Sequence, residues 1–272
     1  MSDLLITSPA NGRLRALVGL RRRRTREESG TTLVEGFEEL TLALDAGVEP
    51  RVLFYCPELH GADERHSELI ARARAAGAET IQVGRVAFER VAYREGPDGF
   101  LAVVPSTSTS LAALRPTRDG LSLVCQGVEK PGNLGAMLRS ADAAGVDAVL
   151  AADPVTDWGN PNVVRASKGT VFSVPCVSAT TEQTLQWLAE HEVTLVATTP
   201  DTDVFYTDVD YSGRVAVAVG AEKHGLTEDL LAAAGHRVRI PMFGRANSLN
   251  VAASAAIVLF EAVRQRRSRS TY

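Results

Sequence analysis

The sequence predicts an α/β protein in which a mostly parallel sheet, covered by helices on both faces, follows a smaller α/β domain. From Leu121 onward, short unbroken apolar runs such as LSLVCQGV, VTLVATT and RVAVAVG alternate with helix-periodic stretches. Strands buried on both faces of a parallel sheet read as such continuous runs, without in–out alternation. Before Leu121, a shorter set of strand and helix signals ends at FLAVVPS, and the Ser-, Thr- and Pro-rich STSTSLAALRPTRDG follows it. That stretch reads as a linker. It divides the chain into residues 1–106, a linker over 107–119 and a second domain over 120–272.

In the first domain, TTLVEGFEELTLALDAGVEPRVLFYC predicts strand, helix and strand, with the helix Phe37–Ala46 stopped at Gly47. SELIARARAAGAETIQV predicts a helix ending at Gly77 and a strand through Val83, and Phe100–Ser106 closes the set as a strand. In the second domain LSLVCQGV is a strand, followed by a helix over Leu134–Ala144 with Asn133 as its cap. Leu134, Met137, Leu138 and Ala141 share the apolar face of that helix. Gly135, Arg139 and Asp142 fall opposite by i, i+4, i+7 spacing. AVLAAD is a strand, NPNVVRAS a short helix with Pro161 in its first turn, and VFSVPCV a strand. TEQTLQWLAEH, VTLVATT, RVAVAVG, TEDLLAAAG and RVRIPM continue the alternation, with Thr227 capping the helix at TEDLL. The last helix opens after FGRANSLN, where Asn250 or Ser248 can cap it. Its first turns carry Ala252, Ala253, Ser254, Ala255 and Ala256, small enough for close packing.

The bulk composition excludes several classes. A hydrophobic content of 45% with 23% charged residues is that of an ordinary globular protein. No apolar run approaches the roughly 20 residues that span a membrane, and the N-terminus lacks a signal peptide's apolar segment, so a cytoplasmic location is expected. Cys56, Cys125 and Cys176 are odd in number and widely spaced, which favours buried thiols over disulfides. The histidines are scattered without metal-ligand spacing, so no metal is expected. The net charge of −4 hides two basic blocks, Arg13–Arg26 and Arg264–Arg269, which are either solvated ends or contacts for a polyanion. Arginine heavily outnumbers lysine. The only lysines, Lys130, Lys168 and Lys223, all sit in glycine-containing loop signals.

Ligands of open parallel sheets bind beyond the carboxyl ends of the strands, so the informative loops are those that follow strands. Three stand out: GVEKPGNLGAMLRSADAAG, VAVGAEKHGLTEDL and IPMFGRANSLNV. The phosphate-binding G-x-x-x-x-G-K-[ST], the dinucleotide G-x-G-x-x-G and the nucleophile elbow G-x-S-x-G are all missing. NTP hydrolysis, hydride transfer and serine hydrolysis are therefore disfavoured.

Together, N-x-G-x-x-x-R (Asn133 to Arg139), G-x-E-x-x-G-L (Gly220 to Leu226) and I-P-M-x-G-x-x-x-S-L-N-V (Ile240 to Val251) resemble the three motifs of the SPOUT superfamily. The match is to its SpoU–TrmH type RNA 2′-O-ribose methyltransferases and covers about Leu121 to Arg267. The segment RTREESGTTLVEG (Arg24–Gly36) resembles the ribosomal-protein-like substrate-binding domain of the same family. The resemblance implies a C-terminal trefoil knot, a homodimer, and S-adenosylmethionine (AdoMet) as cofactor. By motif position it assigns cofactor contacts to Thr198, Gly220, Ile240, Met242 and Leu249. It gives the central catalytic role to Arg139, with Asn133, Glu222, Ser248 and Asn250 orienting it and the nucleotide. A guanidinium does not deprotonate in a protein, so Arg139 is expected to hold the adjacent phosphate and stabilise a developing alkoxide. In the dimer it would serve a site whose cofactor is held by the other chain. Ribosomal RNA is the expected substrate, for housekeeping or for antibiotic resistance. The alternatives are a tRNA 2′-O-methyltransferase and a noncatalytic RNA-binding or ribosome-assembly protein on the same fold.

Overall fold

The computed structural model describes residues 3–269. In chain order it begins β1 (Leu4–Ile6), α1 (Gly12–Gly19), α2 (Arg23–Ser29), β2 (Thr31–Glu35), α3 (Phe37–Asp45) and β3 (Val52–Tyr55). Then come α4 (Pro57–His60), α5 (Glu64–Ala75), β4 (Glu79–Val83), α6 (Arg85–Val91) and β5 (Phe100–Pro105). The later half holds β6 (Leu121–Gln126), α7 (Pro131–Ala143), β7 (Ala148–Ala152), α8 (Pro161–Ala166), β8 (Cys176–Ala179), α9 (Thr181–Glu190) and β9 (Thr194–Thr198). It closes with β10 (Val215–Val219), α10 (Glu228–Ala233), β11 (His236–Val238) and α11 (Val251–Arg269). These form two compact units. One runs through Thr107 and also takes in Trp158–Ser173; the other joins Ser108–Asp157 to the chain from Val174 on.

The first unit is a five-stranded sheet in the order β1-β4-β3-β5-β2. Strand β5 runs antiparallel to both β3 and β2, and the other pairs are parallel. Helices α1 and α2 cover most of the arginine block, to which sequence periodicity assigns no element. Asn11 Oδ1 caps α1 by accepting from Arg13 N at 2.8 Å, and Leu14 and Leu17 bury its inner face. Much of the block is engaged within the unit. Arg26 is buried and donates to the carbonyls of Leu20 and Arg21, each at 2.9 Å, satisfying acceptors at the end of α1. Arg21 donates to Val91 and Ala92 O, while Arg23 and Arg24 pair with Glu27 and Glu28 one turn on.

Residues 158–173 come from the sequence of the second domain but pack here. The Thr32 hydroxyl donates to Gly159 O, and Asn162 Nδ2 donates to Tyr93 Oη at 2.8 Å. Asn160 caps α8 by accepting from Asn162 N at 2.9 Å, and Val163 and Val164 are buried. The predicted strand VFSVPCV is corrected. Thr170–Phe172 is a 3-10 turn, with Thr170 Oγ1 donating to Ser167 O at 2.9 Å, and only Cys176–Ala179 enters a sheet.

The second unit is a six-stranded parallel sheet, in the order β11-β9-β10-β6-β7-β8. Every residue of β6, β7 and β10 is buried, as continuous apolar runs require of central strands. The stretch predicted as a linker lies on this unit from Ser108. Thr109 N donates to Cys176 O at 2.8 Å and Leu114 joins the core. Helix α11 packs on α7 and β10 through Ala255, Val258, Leu259 and Ala262, all buried. Among the described residues no helix is long and apolar enough to cross a membrane, and no group of His, Cys, Asp and Glu could hold a metal. All three cysteines are buried, and none is in a disulfide.

Candidate functional site

Because the sheet of the second unit is parallel, the loops after β6, β10 and β11 all open at its carboxyl edge. Strand β6 continues to β7 on one side, while β10 and β9 lie on the other, which is the strand-order reversal where such sheets bind ligands. The structure brings three of the predicted residues together there. Asn133 Nδ2 donates to Glu222 Oε1 at 2.6 Å, and Asn250 Nδ2 donates to Asn133 Oδ1 at 3.1 Å. Asn250 Oδ1 accepts from Ala252 N at 3.0 Å and so caps α11. Of the two expected caps it is Asn250, not Ser248, that does this.

Two other capping expectations are corrected by the same geometry. Helix α7 begins at Pro131, with Lys130 at the cap position and no side-chain cap bond. Asn133 therefore lies inside the first turn, and its amide is committed to Glu222. Thr227 precedes α10 without a side-chain cap bond. Its hydroxyl accepts from Gln126 Nε2 at 2.9 Å, and its N–H donates to Gln126 Oε1 at 2.8 Å. Buried Gln126 also donates to Thr181 Oγ1 at 2.7 Å, so one side chain ties the end of β6 to the starts of α9 and α10. Sequence reasoning missed Gln126; a polar side chain closing the run LSLVCQ was the available signal.

Lys130 is the other residue missed as a site member. Its Nζ donates to Glu222 Oε2, and that bond, ahead of the one from Asn133, holds the carboxyl below its ordinary range. A small open pocket here is lined by Glu129, Lys130, Asn133, Glu222, Lys223 and Val251 among others. Two of the three lysines thus flank Glu222.

Arg139 lies further along α7. It is exposed, and its guanidinium makes no hydrogen bond or ion pair among the described residues. Gly135, expected on the same outward face, is instead buried against the packed side of α7. Ser248 is exposed in the loop before α11. Thr198, Gly220 and Ile240 stand at or just beyond the ends of the adjacent strands β9, β10 and β11. Thr198 Oγ1 donates to Ala218 O at 2.8 Å, which locks β9 to β10 at that edge. Met242 and Leu249 are each 38% exposed in the loop after β11, and Ile240 is half-buried.

The family model described as the SpoU rRNA methylase family matches residues 120–260, and the model described as an MRM3-like substrate binding domain matches residues 11–102. The chain belongs to the SpoU rRNA methylase family. This SpoU methylase is 32% identical to the 23S rRNA (uridine(2479)-2'-O)-methyltransferase of Streptomyces viridochromogenes, over 94% of its own length and 90% of the relative's. A solved RNA 2'-O ribose methyltransferase is 40% identical, with a TM-score of 0.86 over 97% of this chain and 100% of that one. The AdoMet-bound rRNA methyltransferase of Sinorhizobium meliloti is 31% identical, with a TM-score of 0.88 over 96% and 97%. The expected α/β fold with a parallel sheet is what the SpoU methylase has.

The residues present fit AdoMet. Between Pro241 and Leu249 no backbone N–H donates to another backbone group among the described residues. Exposed Met242 and Leu249 lie in the same loop. Apolar side chains beside unpaired backbone donors and acceptors are what a purine face and its polar edge need.

Proposed function

We propose that this SpoU methylase transfers a methyl group to a ribose 2′-hydroxyl of ribosomal RNA, with AdoMet as cofactor. The observation that carries the reading is the Glu222–Asn133–Asn250 series at the carboxyl edge, with Arg139, whose guanidinium has no partner among the described residues, on the same helix as Asn133. When bound, AdoMet supplies the sulfonium methyl. The backbone of residues 240–249, with the ends of β9 and β10, holds it. Arg139 presents a planar fork that binds the phosphate next to the target ribose and stabilises negative charge on the 2′-oxygen as its proton leaves to that phosphate or to water. Glu222, Asn133 and Asn250 fix the loops on either side of the reacting group, and Ser248 orients the nucleotide. Names of relatives such as the 23S rRNA (guanosine-2'-O-)-methyltransferase RlmB of Ralstonia nicotianae, 32% identical over 88% of this chain, favour ribosomal RNA. Mapping 2′-O-methylation on RNA from cells with and without the protein tests the reading. An unchanged ribosomal RNA methylation map would overturn it.

The working unit is a homodimer, and the trefoil knot of the resemblance belongs to this reading too. Of the small residues that open α11, Ala255 is fully buried within the chain, so its bulk is limited by α11's own packing. The outward stripe of α11 is instead Ala253, Ala256, Ile257 and Phe260, with Phe260 47% exposed. Their spacing by three or four residues aligns them on one side. Phe260→Glu is expected to shift the protein to monomer in sedimentation and to lower activity with it. A dimer unaffected by that change would move the interface elsewhere.

The first unit binds RNA. Removing residues before about Ser110 is expected to leave AdoMet affinity close to that of the full chain while weakening RNA binding and its salt dependence. The packing of 158–173 adds a cost, because Val163 and Val164 lose the sheet that covers them. The truncated protein should therefore bind a hydrophobic dye more than the intact one. Unchanged RNA affinity would show the RNA-binding surface to be misplaced.

A further inference from the structure

The Glu222–Asn133–Asn250 series has a fixed donor direction, and both of its ends set it the same way. At one end, an ionised carboxylate can only accept, which turns the Asn133 Nδ2 toward Glu222 and leaves its Oδ1 facing Asn250. At the other end, the first N–H groups of α11 can only donate, which turns the Asn250 Oδ1 toward Ala252 N and its Nδ2 toward Asn133. The two constraints meet without conflict. The arrangement therefore depends on Glu222 remaining charged. Protonated, it becomes a donor on one oxygen and competes with the Asn133 amide.

We propose that Lys130 is the positioning residue that keeps this series in register, by occupying Glu222 Oε2 and so leaving Oε1 to Asn133. The proposal rests on the reading of the site as a methyltransferase centre, and it gives that centre a member no motif assigned. The side chains of Lys130 and Glu222 are 67% and 35% exposed, so the pair is reachable by water and by substrate. The other charged groups lining the pocket are Glu129, beside Lys130, and Lys223, beside Glu222; α11 presents only Val251 there. Neither makes a side-chain bond to Glu222. A lysine suits the task in a chain that otherwise uses arginine. Its point charge takes a single oxygen, whereas a guanidinium fork would take both and displace Asn133.

The sign of the effect follows from the geometry. The carboxyl is held below its ordinary range, first by the Lys130 bond. Its contribution is present above the ordinary carboxylate value and is lost as pH falls through the depressed one. Without Lys130 that loss begins at higher pH.

The experiment uses the full-length protein in three forms: wild type, Lys130→Met and Lys130→Arg. Glutamate carboxyl carbons are labelled and the Glu222 signal is assigned by its disappearance in Glu222→Gln. In Lys130→Met the Glu222 titration midpoint moves up and the acid limb of single-turnover methylation moves with it. The plateau rate falls about tenfold, the scale of one charged hydrogen bond, with little change in RNA KM. Lys130→Arg keeps the low midpoint but loses rate, because the fork competes with Asn133. An unmoved Glu222 midpoint in Lys130→Met overturns the proposal. So does a raised RNA KM with unchanged plateau rate and acid limb, which would make Lys130 a phosphate contact. Absence of methylation in wild type would instead fail the functional reading, and the carboxyl titration would still decide the role of Lys130.

Discussion

Replacing Arg139 with alanine is expected to lower the single-turnover methylation rate by about a hundredfold or more while leaving AdoMet affinity and thermal stability near wild type. The structure sharpens this expectation. A surface arginine kept for stability ordinarily leans on a carboxylate one turn away, yet the Arg139 guanidinium has no partner among the described residues. Its loss removes no hydrogen bond or ion pair among the described residues, so a fall in Tm is not expected. The predicted cofactor residues lie on other elements, at the ends of β9 and β10 and in the loop after β11, which is why AdoMet binding should survive. Arg139→Lys should also fail, because an ammonium cannot engage phosphate and ribose oxygen in one plane. Near-normal rates for the alanine variant, measured with cofactor affinity determined separately, would remove Arg139 from the mechanism.

What could be read from the sequence, and what could not, divides along the range of the interactions involved. The central strands were legible because VAVAV is apolar throughout and LSLVCQ is apolar except at Ser122 and the terminal Gln126, as burial on both faces favours. Asn133, Asn250 and Glu222 were legible as motif members, and they meet in space. Their bonding was not. Asn133 and Thr227 both look like helix caps in local sequence, but their partners are 89 and 101 residues away. Local capping rules apply only where no distant acceptor or donor competes for the side chain. The alanines that open α11 are ambiguous for a related reason: small residues signal close approach without saying which surface approaches, and Ala255 is buried within its own chain. The segment 158–173 lies in the second domain's sequence and the first unit's fold, and nothing in its composition marks that crossing.

Gly220→Ala should be the most damaging conservative change in the second unit, and its neighbour Gly225 shows why. Gly220 follows β10 directly, and the loop beyond it folds back so that Gly225 N donates to Ala221 O at 2.8 Å. A Cβ at Gly220 would lie within the contact radius of the Gly225 carbonyl and Leu226 N, all of it backbone. Gly225 is the opposite case. Nothing lies within 4 Å of a Cβ there, but its φ of +65° is one that side chains rarely adopt. Space constrains the first glycine and conformation the second. The loop cannot yield freely, because Thr227 at its far end is held on both sides by Gln126. Relief of the clash must then displace Glu222 from Asn133, or β10 from its neighbours. Gly220→Ala is expected to lower stability by about 2 kcal/mol, a fall in Tm of roughly 5 °C, and to weaken AdoMet binding and methylation together. Gly225→Asn should be much milder, since asparagine tolerates the left-handed region. Calorimetric AdoMet titration and thermal unfolding of the two variants decide it. If Gly220→Ala kept wild-type Tm and affinity while Gly225→Asn lost both, the loop would be constrained by its conformation alone, and the close approach beneath Gly225 would have no part in placing Glu222.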